Sequence, residues 1–180
     1  MGAIASVKLS EHSAGFRIET EQSAHQLILF PIGEMNEDVN FSEISQLILN
    51  LNPSVKNLLF DLRGVQSLNS GGVRSWILFI EQVRSRYACQ FKNVNELFVE
   101  QASMLTNFFG RNSASIESFE GPYFCSHCKT RTIHMLKPTD VRMTKQSFTP
   151  PSFKCEQCDG DLEFDALEDE YFNFMRNVKT

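Results

Sequence analysis

An α/β fold, with a mixed central sheet, packed helices and a small C-terminal lobe, is the architecture this sequence predicts. Three observations carry it. Strand-like and helix-like hydrophobic patterns alternate over residues 1–120; four of the five cysteines fall as two Cys-x2-Cys pairs in residues 121–180; and the 180 residues suffice for one ordinary domain plus something small. With 42% hydrophobic residues, 22% charged residues and 16 phenylalanines, the chain has the means to build a substantial core.

Each element has a local reason. Phe16–Thr20 and Leu27–Ile32 are short β-rich runs, and Pro31 marks the second as an edge or a strand end. Asn40 with Glu43 three places on makes a capping-box pattern. Behind it Phe41, Ile44, Leu47, Ile48 and Leu51 share a helical face that Pro53 ends. Asn57–Leu62 is nearly all apolar, as a strand covered on both faces requires. From Gly72 a second helix turns Val73, Trp76, Ile77, Ile80, Val83 and Tyr87 inward. Cys89–Val94 reads as a strand, and Phe98, Ala102, Leu105 and Phe109 as a third helical face before Gly110. Ser115–Phe119 closes the series as a last strand. The predicted order is β-β-α-β-α-β-α-β.

Charge and turn chemistry set the division at 1–120 and 121–180, near Gly121-Pro122. Between the cysteine pairs, residues 129–154 carry Lys129, Arg131, Lys137, Arg142, Lys145 and Lys154 against Asp140 alone. Residues 155–180 are acidic, with only Arg176 and Lys179 opposing. A tail helix is predicted from Asp165, with Glu168 as capping partner and Leu167, Tyr171, Phe174, Met175 and Val178 on one side. No apolar run reaches the roughly 18 residues of a membrane span, and the start lacks the cationic flank and apolar centre of a secretion signal. Gly2 with Ser6 matches the loose N-myristoylation pattern, which small residues near a start also produce by composition. A cytoplasmic protein is the expectation.

The cysteine pairs, Cys125-x2-Cys128 and Cys155-x2-Cys158, are the strongest motif. Each knuckle converges two sulfurs across a tight turn, and four thiolates suit Zn2+, a soft tetrahedral ion without redox chemistry. A four-sulfur set leaves no open position for water, so the expected zinc is structural. Strand-like flanks, Thr132–Leu136 and Leu162–Phe164, fit a zinc ribbon, with Phe124 and Phe153 as shields. His127 and His134 are read as surface residues, not ligands.

The second informative stretch is Leu58–Val73, where a buried strand leads through Gly64-Val65 to Asn69-Ser70-Gly71-Gly72 and a helix. Ser70 at or beside the N-cap would face the orphan N–H groups of the first turn, with Arg74 one turn on. Two readings stand: Ser70 caps the helix, or it presents a hydroxyl where a phosphate would meet those donors and the helix dipole. A nucleophilic serine is discounted, since the flanks are not Gly-x-Ser-x-Gly and none of His12, His25, His127 or His134 sits in a triad pattern. Gly64 and Gly71-Gly72 fit no phosphate-cradling fingerprint.

The strand Leu58–Leu62, the Gly64-Val65 connection and Asn69-Ser70-Gly71-Gly72-Val73 resemble the signature of the STAS family, shared by anti-sigma-factor antagonists and sulfate transporter tails. The element order and Leu27–Glu34 resemble it too, over about residues 15–120. The resemblance implies a STAS-like sheet with packed helices, a reversibly phosphorylated serine at Ser70, and a surface for a switch kinase or other regulator that includes Asn69, Ser70, Gly71 and Arg74. Two positions depart from the pattern: Asn69 stands for Asp, and Gly71 for Ser or Ala. The four-cysteine lobe is not part of the family's minimal domain.

The sequence is thus read as a non-enzymatic regulatory protein that binds a protein partner, with no membrane and no small-molecule substrate. The alternative is a nucleic-acid-associated factor using the basic insertion 129–154, although Phe148 is its one internal aromatic away from the knuckle flanks.

Overall fold

The computed structural model describes residues 5–11 (backbone path), 15–23, 25–50, 54–110 and 114–179; Gly2, His12, Leu51 and Pro53 lie outside them. A mixed sheet of β1 (Ala5–Glu11), β2 (Phe16–Gln22), β3 (Gln26–Met35), β4 (Asn57–Asp61), β6 (Ala88–Lys92) and β7 (Ser115–Ile116) runs in the order β1-β2-β3-β4-β6-β7. The first three strands are antiparallel, and β3, β4, β6 and β7 are parallel. The parallel strands are joined by α1 (Phe41–Leu49), α2 (Ser70–Val83) and α3 (Glu96–Met104).

Two strands go beyond the predicted order. β1 precedes Phe16, and β5 (Val65–Leu68) lies in what reads as a short connection. β5 follows a 3-10 turn, Leu62–Gly64, and pairs parallel with the far end of β3. That pairing corrects the reading of Pro31. β3 is central, not an edge, and Pro31 lies in the gap between its β4 partners (Gln26–Leu29) and its β5 partners (from Gly33). A missing N–H breaks no ladder bond on that side. Gly64 crosses at the same place: a Cβ there would lie 2.7 Å from the Pro31 carbonyl oxygen, so only glycine fits.

Trp76 is the hub of the core. It is fully buried among Phe41, Phe60, Phe79, Phe91, Phe98 and Phe108, mostly edge-on or tilted, and its Nε1–H donates to the Phe108 carbonyl at 3.1 Å. Of the predicted inner faces, Ile77 and Leu105 are only half-buried, and α3 stops at Met104, so Phe109 is buried from the turn beyond the helix. Leu47 is exposed while Ser45 is buried and donates to Gln82 Oε1 at 2.6 Å. A polar side chain with a partner thus takes the place that hydrophobicity alone assigns to leucine.

Beyond β7, a second sheet, β12-β8-β9, is antiparallel: β8 is Phe119–Cys125, β9 Thr130–Leu136 and β12 Glu163–Phe164. β8 begins against the body, where Phe119 bridges Val94, and runs through Gly121-Pro122 to Cys125. A hairpin, β10 (Arg142–Met143) and β11 (Phe148–Thr149), fills part of the insertion. The tail is not one helix from Asp165. α4 spans only Glu168–Tyr171 and tightens into a 3-10 stretch, Phe172–Asn177. Leu167 is exposed, whereas Phe172, Phe174 and Met175 are buried against Phe119 and α3. The tighter winding brings Phe172 inward, off the face that a 3.6-residue period selects. Lys179 then bridges Ser115, returning the chain to the edge of the first sheet. Among the described residues no helix is long and apolar enough to cross a membrane.

Candidate functional sites: the serine turn and the cysteine cluster

The start of α2 bears on the capping reading of Ser70. Asn69 is the N-cap: extended in backbone, it accepts the Gly72 N–H on Oδ1 at 2.9 Å. Ser70 is therefore the first helical residue and not the cap. It is solvent-exposed, as are Asn69 and Arg74, and its hydroxyl makes no hydrogen bond among the described residues.

Glu37, which sequence reasoning missed, completes this turn. Its Oε2 accepts the other half of the Asn69 amide at 2.7 Å. A Cβ on Gly71 would stand 2.8 Å from Glu37 Cβ and 3.0 Å from Oε2. The carboxylate thus touches both chain neighbours of Ser70. Hydrogen bonds from its own backbone N–H and from Asn69 hold Glu37 below the usual carboxylate range. Glu37 thus reaches this turn from the β3–α1 loop, and its side chain lies over Gly71. Gly72 has a different reason: a Cβ there would meet the Met35 carbonyl oxygen at 2.2 Å, so glycine lets α2 start hard against the end of β3. No local pattern links Glu37 to position 69; only the fold does.

At the neighbouring strand ends, Asp61 is buried and takes a bidentate grip from Arg63, Nε to Oδ1 at 2.9 Å and Nη2 to Oδ2 at 2.7 Å. Asn93 donates to Oδ2 at 3.0 Å, and Lys92 Nζ stands 3.7 Å away. Burial alone would push the carboxyl up; the Arg63 and Asn93 hydrogen bonds outweigh it, and the net shift is downward. The pairing pins the 3-10 turn that launches β5 towards Asn69.

The four predicted cysteines come together. The sulfurs of Cys125, Cys128, Cys155 and Cys158 all lie within 4.8 Å of one another, with Cys125–Cys158 at 3.6 Å and Cys128–Cys155 at 3.9 Å. Four sulfurs placed tetrahedrally at about 2.3 Å from a zinc ion would be about 3.8 Å apart, so the donor set fits the ion in number, kind and spacing. The knuckles repeat one design. Lys129 and Asp159, each just after the second cysteine, have φ of 58° and return their N–H to the carbonyl of the first, Cys125 and Cys155, at 2.8 Å. The first sulfur of each also receives backbone N–H groups: Cys128 N–H on Cys125 Sγ at 3.4 Å, and Gln157 and Cys158 on Cys155, whose thiol they lower to about 7.

Neither histidine joins the cluster. His127 is exposed, as read, but His134 is not a surface residue: it is half-buried, stacked on Phe153 at 4.0 Å and edge-on to Tyr123. Part of the basic insertion is neutralised by carboxylates outside it. Arg131 bonds Asp165 at 2.7 Å and Glu96, and Lys154 pairs with Asp161 at 2.7 Å. Phe148 is buried beneath the Arg176 guanidinium, so it offers no base-stacking face.

No family model matches this chain, and no curated protein matches it. Among solved structures, the STAS domain of an anti-sigma-factor antagonist from Rhodobacter sphaeroides is similar with a TM-score of 0.31 and 11% identity. That match covers 43% of this chain and 84% of the other.

Proposed function

We propose that the protein is a cytoplasmic, non-catalytic regulatory module whose docking surface is the start of α2, with Ser70 as a phosphoacceptor. The observation that carries this reading is the division of labour at the turn: Asn69 caps, which leaves the Ser70 hydroxyl exposed and unengaged over a helix N-terminus. The resemblance of Leu58–Val73 to the STAS signature supports it. In the unmodified turn the Glu37 carboxylate, tethered by Asn69, lies against the start of α2. A phosphate on Ser70 would set close to two negative charges beside it. Their repulsion would release Glu37 and its loop, and the surface offered to a partner would change in charge and shape.

In this reading the four cysteines hold Zn2+ as a structural ion that fixes a zinc ribbon. Zinc supplies folding energy there, while Tyr123, Phe153 and Phe164 pack behind the knuckles.

Peptide mapping and intact mass of the protein taken from its own cells should show a phosphate on Ser70 in a fraction of molecules. Protein captured with wild type should differ in amount from that captured with Ser70→Glu and match that captured with Ser70→Ala. Equal capture by all three, with Ser70 unmodified under every growth condition, would leave a constitutive adaptor at most.

A further inference from the structure

Between α3 and α4 lies a groove of about 310 Å3. Its apolar walls are Met104 and Leu167, which are 67% and 69% exposed, among the most exposed large hydrophobics described. Glu100 on α3 and Glu170 on α4 complete its rim. The groove's own polar groups are spent: Ser103 Oγ donates to the Tyr171 carbonyl at 2.6 Å, and Tyr171 Oη donates to the Glu120 carbonyl at 2.8 Å. The nearest guanidinium, Arg131, is committed to Glu96 and Asp165. Among the described residues neither Glu100 nor Glu170 forms an ion pair, so two carboxylates flank an apolar slot. Burial and then the neighbouring Glu96 raise the Glu100 carboxyl, and the pull of Arg131 does not offset them. The volume sits at the lower end of small-molecule pockets and suits an inserted side chain flanked by positive charge.

This chain carries such a segment. The β10–β11 hairpin presents Arg142-Met143-Thr144-Lys145, with Met143 46% exposed and Arg142 and Lys145 in no ion pair among the described residues. Its turn is preorganised, because Thr144 Oγ1 accepts the Gln146 and Ser147 N–H groups at 3.2 and 2.9 Å. A flexible thioether between two cations matches the groove in polarity and charge. The hairpin and the groove also adjoin the same short helix: Phe148 N–H bonds Asp169 at 3.1 Å, while Leu167 and Glu170 wall the groove.

We propose that two copies of this chain associate reciprocally, Met143 of each seated in the α3–α4 groove of the other, with Arg142 and Lys145 facing Glu100 and Glu170. Reciprocal exchange about a twofold closes the assembly at two, whereas a one-way contact would run on. The patch is smaller than a standard interface, so the dimer is weak and held largely by charge.

Sedimentation of the zinc-loaded full chain, from about 10 μM to about 1 mM, tests this. At about 50 mM salt the wild type should dimerise, and at about 500 mM it should dissociate at least about ten-fold more readily. Met143→Glu and Leu167→Glu should each abolish the dimer while melting within a few degrees of wild type. Glu100→Lys/Glu170→Lys and Arg142→Glu/Lys145→Glu should each be monomeric alone but form a one-to-one heterodimer when mixed, since one contact then keeps its native charges and the other is restored with its signs exchanged. A wild type that stays monomeric throughout overturns the proposal, even if the groove takes a foreign basic peptide. So does a dimer indifferent to both charge pairs, or a mixture that fails to pair although both variants fold.

Discussion

Asn69 holds Glu37 across 32 residues of sequence: its side-chain N–H donates to the carboxylate at 2.7 Å, and its carbonyl oxygen takes the Gly72 N–H at 2.9 Å. One amide therefore caps α2 and fixes the loop before α1. Asn69→Ala removes both bonds and should cost about 1 kcal/mol of stability, the usual value of a lost cap. Asn69→Asp keeps the cap but sets two carboxylates against each other. It should leave the melting temperature nearly unchanged at neutral pH while the Glu37 carboxyl titrates at higher pH, which side-chain carboxyl NMR would follow.

The two glycines of the turn should respond differently to a methyl group. Gly72→Ala drives a Cβ into the Met35 backbone at 2.2 Å, which neither strand nor helix can yield to, and should cost about 3 kcal/mol in urea unfolding. Gly71→Ala meets Glu37 Cβ at 2.8 Å, its Oε2 at 3.0 Å and Asn69 Oδ1 at 3.3 Å, so the carboxylate must swing away and the exposed loop that carries Glu37 must shift slightly. It should cost under about 1 kcal/mol and detach Glu37 from Asn69, visible as loss of the Glu37 downward shift.

Asp61 makes the fold acid-sensitive in a stated direction. Its carboxyl lies below the ordinary value of 3.8 when folded, so it binds fewer protons folded than unfolded near that pH. The stability it contributes is fully present above pH 3.8 and is lost as pH falls through the lower folded value. Asp61→Ala should cost about 3 kcal/mol at pH 7, the low end for a broken buried pair, because Arg63 can turn to water. The gap between wild type and variant in urea unfolding should narrow below pH 3.8.

Zinc and the cysteines admit a direct measurement. One zinc ion per chain is expected by native mass spectrometry, and Cys155→Ser should lower or abolish retention. A strong chelator should remove the ion and with it the near-ultraviolet circular dichroism of Tyr123, which packs against Phe153 and Phe164 behind the knuckles. A chain that keeps this signal without metal would show that the lobe folds on its aromatic packing alone.

What the sequence made legible was local. The apolar run Leu58–Phe60, the Asn40 cap and the cysteine spacing each depend on residues within a few positions, and each holds. Pro31 misled because a proline's cost depends on which neighbour its missing N–H faces, and that is set by where β4 stops and β5 starts along β3. Glu37 was hidden because its role exists only once β3 and α2 lie end to end. The tail misled through its period: a 3-10 winding buries Phe172, which an α-helical wheel leaves outside.

The bridge between Lys179 and Ser115 has a practical bearing on how the chain can be shortened. Residues 172–179 are not a trailing appendage but the last strut of the body, with Phe172 and Phe174 against Phe119 and the final bridge on the sheet's edge. Proteolysis just before Phe172 would not trim a loose end; it would unroof the seam joining the two sheets and leave α3 facing water.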